Sequence, residues 1–587
     1  MNYHTQKLLK LNLVTWRMVT VGGLLLAGLT TIGIRAMYLQ GLKDTYLQGK
    51  GDAVANRYLT LPAHRGMVSD RHGQPLAIST PVEALWARPA ELKLSAQQHR
   101  QLAALIEMPP EALAKRLRSR TRGEFAVRRP VTPEQAAKIT AMGVPGLVLR
   151  REFRRYYPAG DVAAHVVGFT NVDDVGQEGV ERAYQSWLAG EAGERRILRD
   201  RKGNTIRDIA PIKTAQMGGN LALSLDLKIQ YLAHRELAAA IKTHKAKGGS
   251  IVVLDAKTGE ILALANLPNF NPNNRRNYQP GPMRNRAVID TFEPGSTIKP
   301  FVAAAVLERG LFAPESVIET PETWRVGNKL VRDVHPHPRM TVTEIIQKSS
   351  NVGSVKMAMS LTPMQHWEVL HRAGFGQLPG SGFPGETAGR LRDGASWKPV
   401  EHATMAYGYG MSVSLLQVAR AYMAFANDGE VMPLSFLKRE PQEVIGERVF
   451  SPTVARQVRT MMEAVTAEGG TGMRTRVAGY RVAGKTGTAH KLIDGRYASD
   501  RYLSSFIGMA PASDPRLIIG VVIDEPGGAV YYGGSVAGPV FSQVMAASLR
   551  HLGLPPDMPP EDSTRLTQPS AVPPHRNVWG PANDRPV

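Results

Sequence analysis

Apolar and polar residues change rhythm several times along the chain. Met18 to Ile34, MVTVGGLLLAGLTTIGI, runs for 17 residues without a charge between Arg17 and Arg35. As a helix it spans roughly 26 Å, and snorkelling of Arg35 with Ala36–Leu39 completes a hydrocarbon core of about 30 Å. Trp16 and Tyr38 stand at the interfacial positions of such a helix. The pattern predicts an uncleaved signal anchor over residues 18–38, because the run is long for a signal peptide and no A-x-A site follows it. Lys7, Lys10 and Arg17 precede it without an acidic residue, so residues 1–17 are expected in the cytoplasm and the chain beyond about residue 40 outside it.

Residues 50–219 break into short strand-like runs and turns, such as HRGMVSDRHGQPLA (64–77), EFRRYYPAGDVAAHVVGF (152–169) and DDVGQEGVERAY (173–184). They predict an extended accessory module rather than a catalytic core. D-R-x-G recurs at Asp70–Gly73 and Asp200–Gly203, too little to argue duplication. From 220 to 552 the pattern becomes that of a packed domain. A strand and a long amphipathic helix open it. A hairpin over 248–266 follows, turning at Asp255–Gly259. Ala-rich helical stretches lie near 297–309, 342–360 and 414–427, and strands return at 479–490, 501–511 and 516–525. Strand, helices, then strands predict an α+β fold, an antiparallel sheet with helices on its faces. Residues 553–587 hold nine prolines in 35 positions and no periodicity, which predicts a disordered tail.

Composition narrows the functions open to such a chain. The net charge of +21 suits an anionic membrane or wall. Without zinc-finger spacing or an aromatic RNA-binding signature it makes no case for nucleic acid. The chain has no cysteine, so disulfides and thiolate chemistry are excluded. No H-E-x-x-H occurs, and His335 and His337 in HPHP are separated by prolines. The predicted chemistry needs neither metal nor cofactor.

Two stretches compete to define that chemistry. GYRVAGKTGTA (479–489) satisfies the phosphate-loop pattern through Gly479, Gly484, Lys485 and Thr486. Such a loop needs a buried strand before it and a helix after it. Here GTGMRTRVA precedes, TAHKLIDGRY follows as a hairpin, and the location is poor in nucleotide. No nucleotide partner is expected. The other stretch is FEPGSTIKPFVAAAVLERG (292–310), where a helix is predicted to start at Ser296 and stop at Gly310. Ser296 and Lys299 then share a face, a nucleophile and a base whose amine neighbouring cations can hold neutral. Alone, the pattern equally fits a Ser N-cap with a surface lysine. KSSNVG (348–353) adds Ser349, a proton relay to a leaving amine, and Asn351, whose amide can hold a substrate carbonyl. In isolation it equally fits an N-cap. On a strand, Lys485 and Gly487 share one face and Thr486 takes the other. Lys485 offers charge to a carboxylate, and Gly487 lets substrate approach the backbone. The backbone N–H groups of Ser296 and Thr488 are candidates for an oxyanion hole. GGSVA (533–537) misses the hydrolase elbow G-x-S-x-G at Ala537.

S-x-x-K, S-x-N and K-T-G in this order, 53 and 136 residues apart, resemble the penicillin-recognising active-site serine enzymes. RGMVSDRHGQPLA, RRYYPAGDVAAHVVGF and GQEGVE resemble the non-catalytic motifs of class B, monofunctional penicillin-binding proteins, so the likeness covers roughly residues 60–550. FEPGSTIKP, KSSNVG, YGYGMSVS (407–414) and VAGKTGTA most resemble the division-specific, FtsI or penicillin-binding protein 3 type. The elongation-specific paralogue usually ends its second motif in Asp, where this chain has Asn351.

The resemblance implies a non-catalytic pedestal or dimerisation-type domain over 50–219 and a serine β-lactamase-like transpeptidase domain over 220–552. It implies a D,D-transpeptidase that cross-links peptidoglycan stem peptides at the septum through an acyl-enzyme on Ser296. Lys485, Thr486 and Thr488 would hold the substrate carboxylate, and β-lactams would acylate the serine. Its implied setting is a Gram-negative inner membrane with the catalytic domain periplasmic. Implied partners are lipid-linked precursor, a membrane-embedded glycosyltransferase and other divisome proteins. The alternatives are the elongation paralogue, a D,D-carboxypeptidase, a β-lactamase-type sensor, or a non-catalytic divisome scaffold.

Overall fold

The computed structural model describes residues 3–42, 56–120, 123–199, 205–274, 279–440 and 444–558. Helix α1 (Tyr3–Met37) continues into a π turn over Tyr38–Leu42. Its stretch Thr15–Gly41 has a mean hydropathy of 1.6 and packs against no protein. Among the described residues it is the one helix long and apolar enough to cross a membrane. Thr20, Thr30 and Thr31 donate their hydroxyls to the carbonyl four residues back, which satisfies polar groups that would be costly in lipid.

The chain divides into two compact units that alternate along the sequence, one of Met1–His64, Pro81–Glu152 and Gly190–Gly218, the other of Arg65–Thr80, Phe153–Ala189 and Gly219–Val587. In the first, helices Ala96–Leu105, Pro110–Arg118 and Pro133–Ala141 bury Leu102, Ile106, Leu113 and Ile139 with Leu85 and Val127. Ser95 with Gln98, and Thr132 with Gln135, form reciprocal capping boxes that start two of these helices.

In the second unit the three loop-rich motifs of the accessory region meet on one buried carboxylate. Glu181 accepts from Arg65 Nε at 2.7 Å and from Arg155 Nε at 2.6 Å, with all three side chains out of solvent. Nearby, Asp70 Oδ1 accepts from the backbone N–H of His72 and Gln74, both at 2.8 Å. That closes the first D-R-x-G turn, in which Gly73 takes a φ of +83° that favours glycine. The second D-R-x-G lies outside the described residues.

Helix α2 (Leu227–Thr243) precedes strands β1 (Gly248–Asp255) and β2 (Ile261–Leu267), which form the expected hairpin. Helices α3 (Lys299–Glu308), α4 (Val342–Lys348), α5 (Asn351–Met359), α6 (Leu415–Ala421) and α7 (Pro452–Thr466) follow. The chain then returns through β3 (Ala483–Ile493), β4 (Arg496–Ala510) and β5 (Leu517–Asp524) to helix α8 (Gly533–His551). The sheet is antiparallel in the order β2-β1-β5-β4-β3. Along β1, Val252 and Leu254 enter one core, Ile251 and Val253 the other. Both faces are therefore covered, which is why its sequence reads as unbroken apolar residues rather than an alternation. The first residues of the Pro-rich tail are held: Tyr480 Oη donates to Leu554 O at 2.6 Å, and Asp557 accepts from Arg481 N at 2.7 Å. The tail from 559 lies outside the described residues.

Candidate active site

Ser296 does not start the α-helix, as its sequence context predicts. It sits in a 3₁₀ turn, Gly295–Ile298, and α3 begins at Lys299. The cause is Pro300. It has no N–H to give the Ser296 carbonyl, so that carbonyl is met one residue earlier by Lys299 N. The turn is fixed from two further sides. The N–H of Gly295 donates to Gly408 O at 3.2 Å, and Tyr422, fully buried, donates its hydroxyl to Thr297 O at 2.7 Å. A side chain at 408 would stand 2.2 Å from Gly295 O, so YGYGMSVS supplies a glycine where the Ser296 turn is laid down. Ser296 itself is half-buried.

Behind it Lys299 is fully buried. Its Nζ donates to Ser349 O at 2.6 Å and to Asn351 Oδ1 at 2.8 Å, with Ser349 Oγ 3.3 Å away. The first and second sequence motifs are thus joined through one amine. Burial lowers the Lys299 pKa to about 7 against the opposing pull of the Asp333 carboxylate. A neutral amine has two N–H donors and one lone pair. Two carbonyl oxygens occupy the donors, and the lone pair is left for a hydroxyl proton.

Ser349 closes α4 in the left-handed region, at φ +63°. The N-cap of α5 is its neighbour Ser350, which accepts from Gly353 N at 2.9 Å. Ser349 is therefore the C-cap of α4 and not the N-cap of α5, and its strained backbone turns its carbonyl and hydroxyl toward Lys299. Asp333 anchors this corner by accepting from Ser350 Oγ, Asn351 N and Val352 N. Asn351 Nδ2 donates to Arg332 O at 3.0 Å, which orients its oxygen toward the lysine.

The third motif lies on β3. Lys485 is fully buried, and burial together with the Lys299 charge holds its amine well below the usual lysine range. A Cβ on Gly487 would stand 2.3 Å from Ser505 Oγ and 2.9 Å from Thr297 Cγ2. The Ser296 turn therefore lies against the strand, and only glycine fits between them. Thr486 Oγ1 is 2.8 Å from Thr471 Oγ1. Thr488 Oγ1 accepts from Gly533 N at 3.0 Å, which leaves its own proton to donate. Both threonines face the N-terminus of α8, opposite Gly487.

The competing motifs dissolve in this geometry. After Lys485 the chain continues as strand to Ile493, with no helix for a phosphate loop. GGSVA forms the first turn of α8 rather than a strand-to-helix elbow. Asp333, Tyr422 and Thr471 contribute to the site without any sequence motif that marks them.

Residues 249–546 match the family "Penicillin binding protein transpeptidase domain" and residues 60–223 match "Penicillin-binding Protein dimerisation domain". The chain is 45% identical over 531 residues to the probable peptidoglycan D,D-transpeptidase PenA of Neisseria meningitidis, covering 89% of this chain and 91% of that protein. The chain belongs to the penicillin-binding protein transpeptidases. Peptidoglycan D,D-transpeptidase FtsI of Escherichia coli is 40% identical, with 93% of each chain covered. Among solved structures, penicillin-binding protein 3 of Mycobacterium tuberculosis, in complex with aztreonam, aligns with a TM-score of 0.67 at 29% identity. It covers 86% of this penicillin-binding protein and 99% of that chain. The transpeptidase domain of Burkholderia pseudomallei penicillin-binding protein 3 is 44% identical with a TM-score of 0.53, covering 57% of this chain and 98% of that one. Family membership accounts for the order of the three motifs and the α+β fold.

Proposed function

We propose that this chain is a peptidoglycan D,D-transpeptidase acting through a serine acyl-enzyme, a target of β-lactams, and the division-specific member of its class. The observation that carries this reading is the buried Lys299 amine, held by Ser349 O and Asn351 Oδ1 directly behind the Ser296 turn. Neutral Lys299 takes the Ser296 hydroxyl proton as Oγ bonds to the penultimate D-Ala carbonyl of a stem peptide. Backbone N–H groups of Ser296 and Thr488 receive the oxyanion. Ser349 relays the proton to the leaving amine as the peptide C–N bond breaks, and terminal D-Ala departs. The amine of a neighbouring stem then attacks the acyl-enzyme, forms the new amide and returns the proton to Ser296. Asn351 holds a substrate carbonyl. Lys485, Thr486 and Thr488 hold the terminal carboxylate, with Gly487 leaving room for the peptide backbone.

In this reading residues 50–219 form the non-catalytic domain and 220–552 the catalytic domain. The anchor sits in the inner membrane, N-terminus inward and catalytic domain periplasmic. A membrane-embedded glycosyltransferase partner polymerises the glycan, and other divisome proteins recruit the enzyme. Asn351, rather than Asp, at the end of the second motif supports the septal role over the elongation role. Fluorescent penicillin tests the chemistry: it should label the membrane-bound chain covalently and stably, and Ser296→Ala should abolish labelling. Labelling that survives the substitution sinks the nucleophile, and rapid turnover of the adduct would instead fit a β-lactamase. Depletion tests the role, with filaments expected and round cells contradicting it.

A further inference from the structure

Away from the acyl-transfer site, three side chains distant in sequence converge on one point. His72 comes from the D-R-x-G turn, Asp226 is the N-cap of α2, and His551 is the last residue of α8. Asp226 Oδ2 lies 3.0 Å from His72 Nε2 and 3.0 Å from His551 Nε2, and all three atoms fall within 4.8 Å of one another. We infer that this is a binding site for a zinc-class divalent transition-metal ion, which pins the turn to the two helices.

The donor set and its support both favour this assignment. Two imidazoles and a carboxylate, with a fourth position left for water, form a familiar tetrahedral zinc set. Ligands at 2.0–2.2 Å from a tetrahedral zinc stand about 3.3 Å apart. The nitrogen-to-oxygen separations here need to open by only a few tenths of an ångström. Asp226 is fully buried, and its other oxygen, Oδ1, is held by Lys228 N at 3.0 Å and Ile229 N at 3.2 Å. Oδ2 is therefore oriented toward the histidines before any ion arrives, the outer-shell support that metal sites use. His72 is placed by the Asp70 bond to its backbone N–H, and Asp70 Oδ2 also accepts from Leu227 N at 3.3 Å. A dication would offset these two carboxylates.

The site has an entry path. The His72 side chain is 56% exposed, and a concave pocket of about 890 Å³ opens beside the cluster, lined by Gln74, Val162, Leu227, Tyr231 and the ligands. The alternative is that both imidazoles carry a proton on Nε2 and donate to Asp226. The two arrangements differ in whether the nitrogen lone pairs are available.

The full chain in detergent, stripped with chelator and titrated with ZnCl₂, should bind one ion per chain with micromolar or tighter affinity. H72N and H551N should each weaken binding tenfold or more, and zinc should raise the melting temperature of the native chain but not of H72N/H551N. Fluorescent penicillin should acylate these variants at the native rate, which shows that they fold. Should they fail to fold, Co(II) added to the native chain supplies the second test, since the site must give the intense visible bands of four-coordinate cobalt. No stoichiometric binding, absence of those bands, unchanged affinity in H72N/H551N, or loss of binding in H335N/H337N instead would each overturn the assignment.

Discussion

Lys299 Nζ donates to Asn351 Oδ1 at 2.8 Å, across 52 positions of sequence. This bond ties the second motif to Lys299, the base of the proposed mechanism. A lysine so placed must be neutral to accept a proton, and its pKa of about 7 sets when it is. The protonated fraction grows below that value, so acylation by a β-lactam should fall about tenfold per pH unit below 7 and level off above it. Lys299→Arg, which stays protonated, should lower the acylation rate by about a hundredfold or more at every pH. Stopped-flow acylation from pH 5.5 to 8.5 checks both, and a flat profile would remove Lys299 as the base.

Asp333 shifts that profile. Its charge favours the protonated lysine, so Asp333→Asn should lower the Lys299 pKa and move the acid limb of the acylation curve to lower pH. The same change weakens the acceptor for Asn351 N and Val352 N at the start of α5. It should also cost about 1 kcal/mol of stability, as lost caps do. The pH profile and a denaturant melt separate the two effects.

Gly487 is a matter of room. Gly487→Ala sets a methyl 2.3 Å from Ser505 Oγ and 2.9 Å from Thr297 Cγ2, pushing the nucleophile turn off β3. Acylation should slow about tenfold or more. Gly487→Ala combined with Ser505→Ala should recover part of the loss, because one of the two obstructing atoms is gone.

Glu181 holds two buried guanidiniums. Glu181→Gln removes the carboxylate that Arg65 and Arg155 share and should destabilise by about 3–5 kcal/mol. Thermal or urea unfolding of the full chain measures this. A cost near zero would mean that water reaches the cluster.

Much of the candidate site is legible in the sequence because its residues lie close together along the chain. Ser296 with Lys299, Ser349 with Asn351, and the K-T-G run each announce themselves within four residues, and the helices and the strand that carry them follow from apolar runs and turns. Helix α3 starts three residues later than its pattern predicts, since the proline that delays it sits inside an otherwise helical run. Asp333, Tyr422 and Thr471 were invisible because each acts on a residue remote in sequence: Tyr422 and Thr297 are 125 positions apart. The meeting of His72, Asp226 and His551 has no signature at all. Tertiary contacts of this kind follow from topology, and the residue types alone do not encode it.

Strand β3 is the last in its sheet, with one ladder filled by β4 and the other side unpaired within that sheet. A guest peptide paired there is read through its main chain, which reports direction and register but not the identity of side chains. Sliding the guest by one residue would turn every side chain to the opposite face. Under the proposed function the strand would work as a ruler that needs a stop at one end, the part that reading gives to Lys485 with the two threonines. Selectivity then rests on where the guest terminates, so donors with different side chains but the same carboxyl end should be accepted alike.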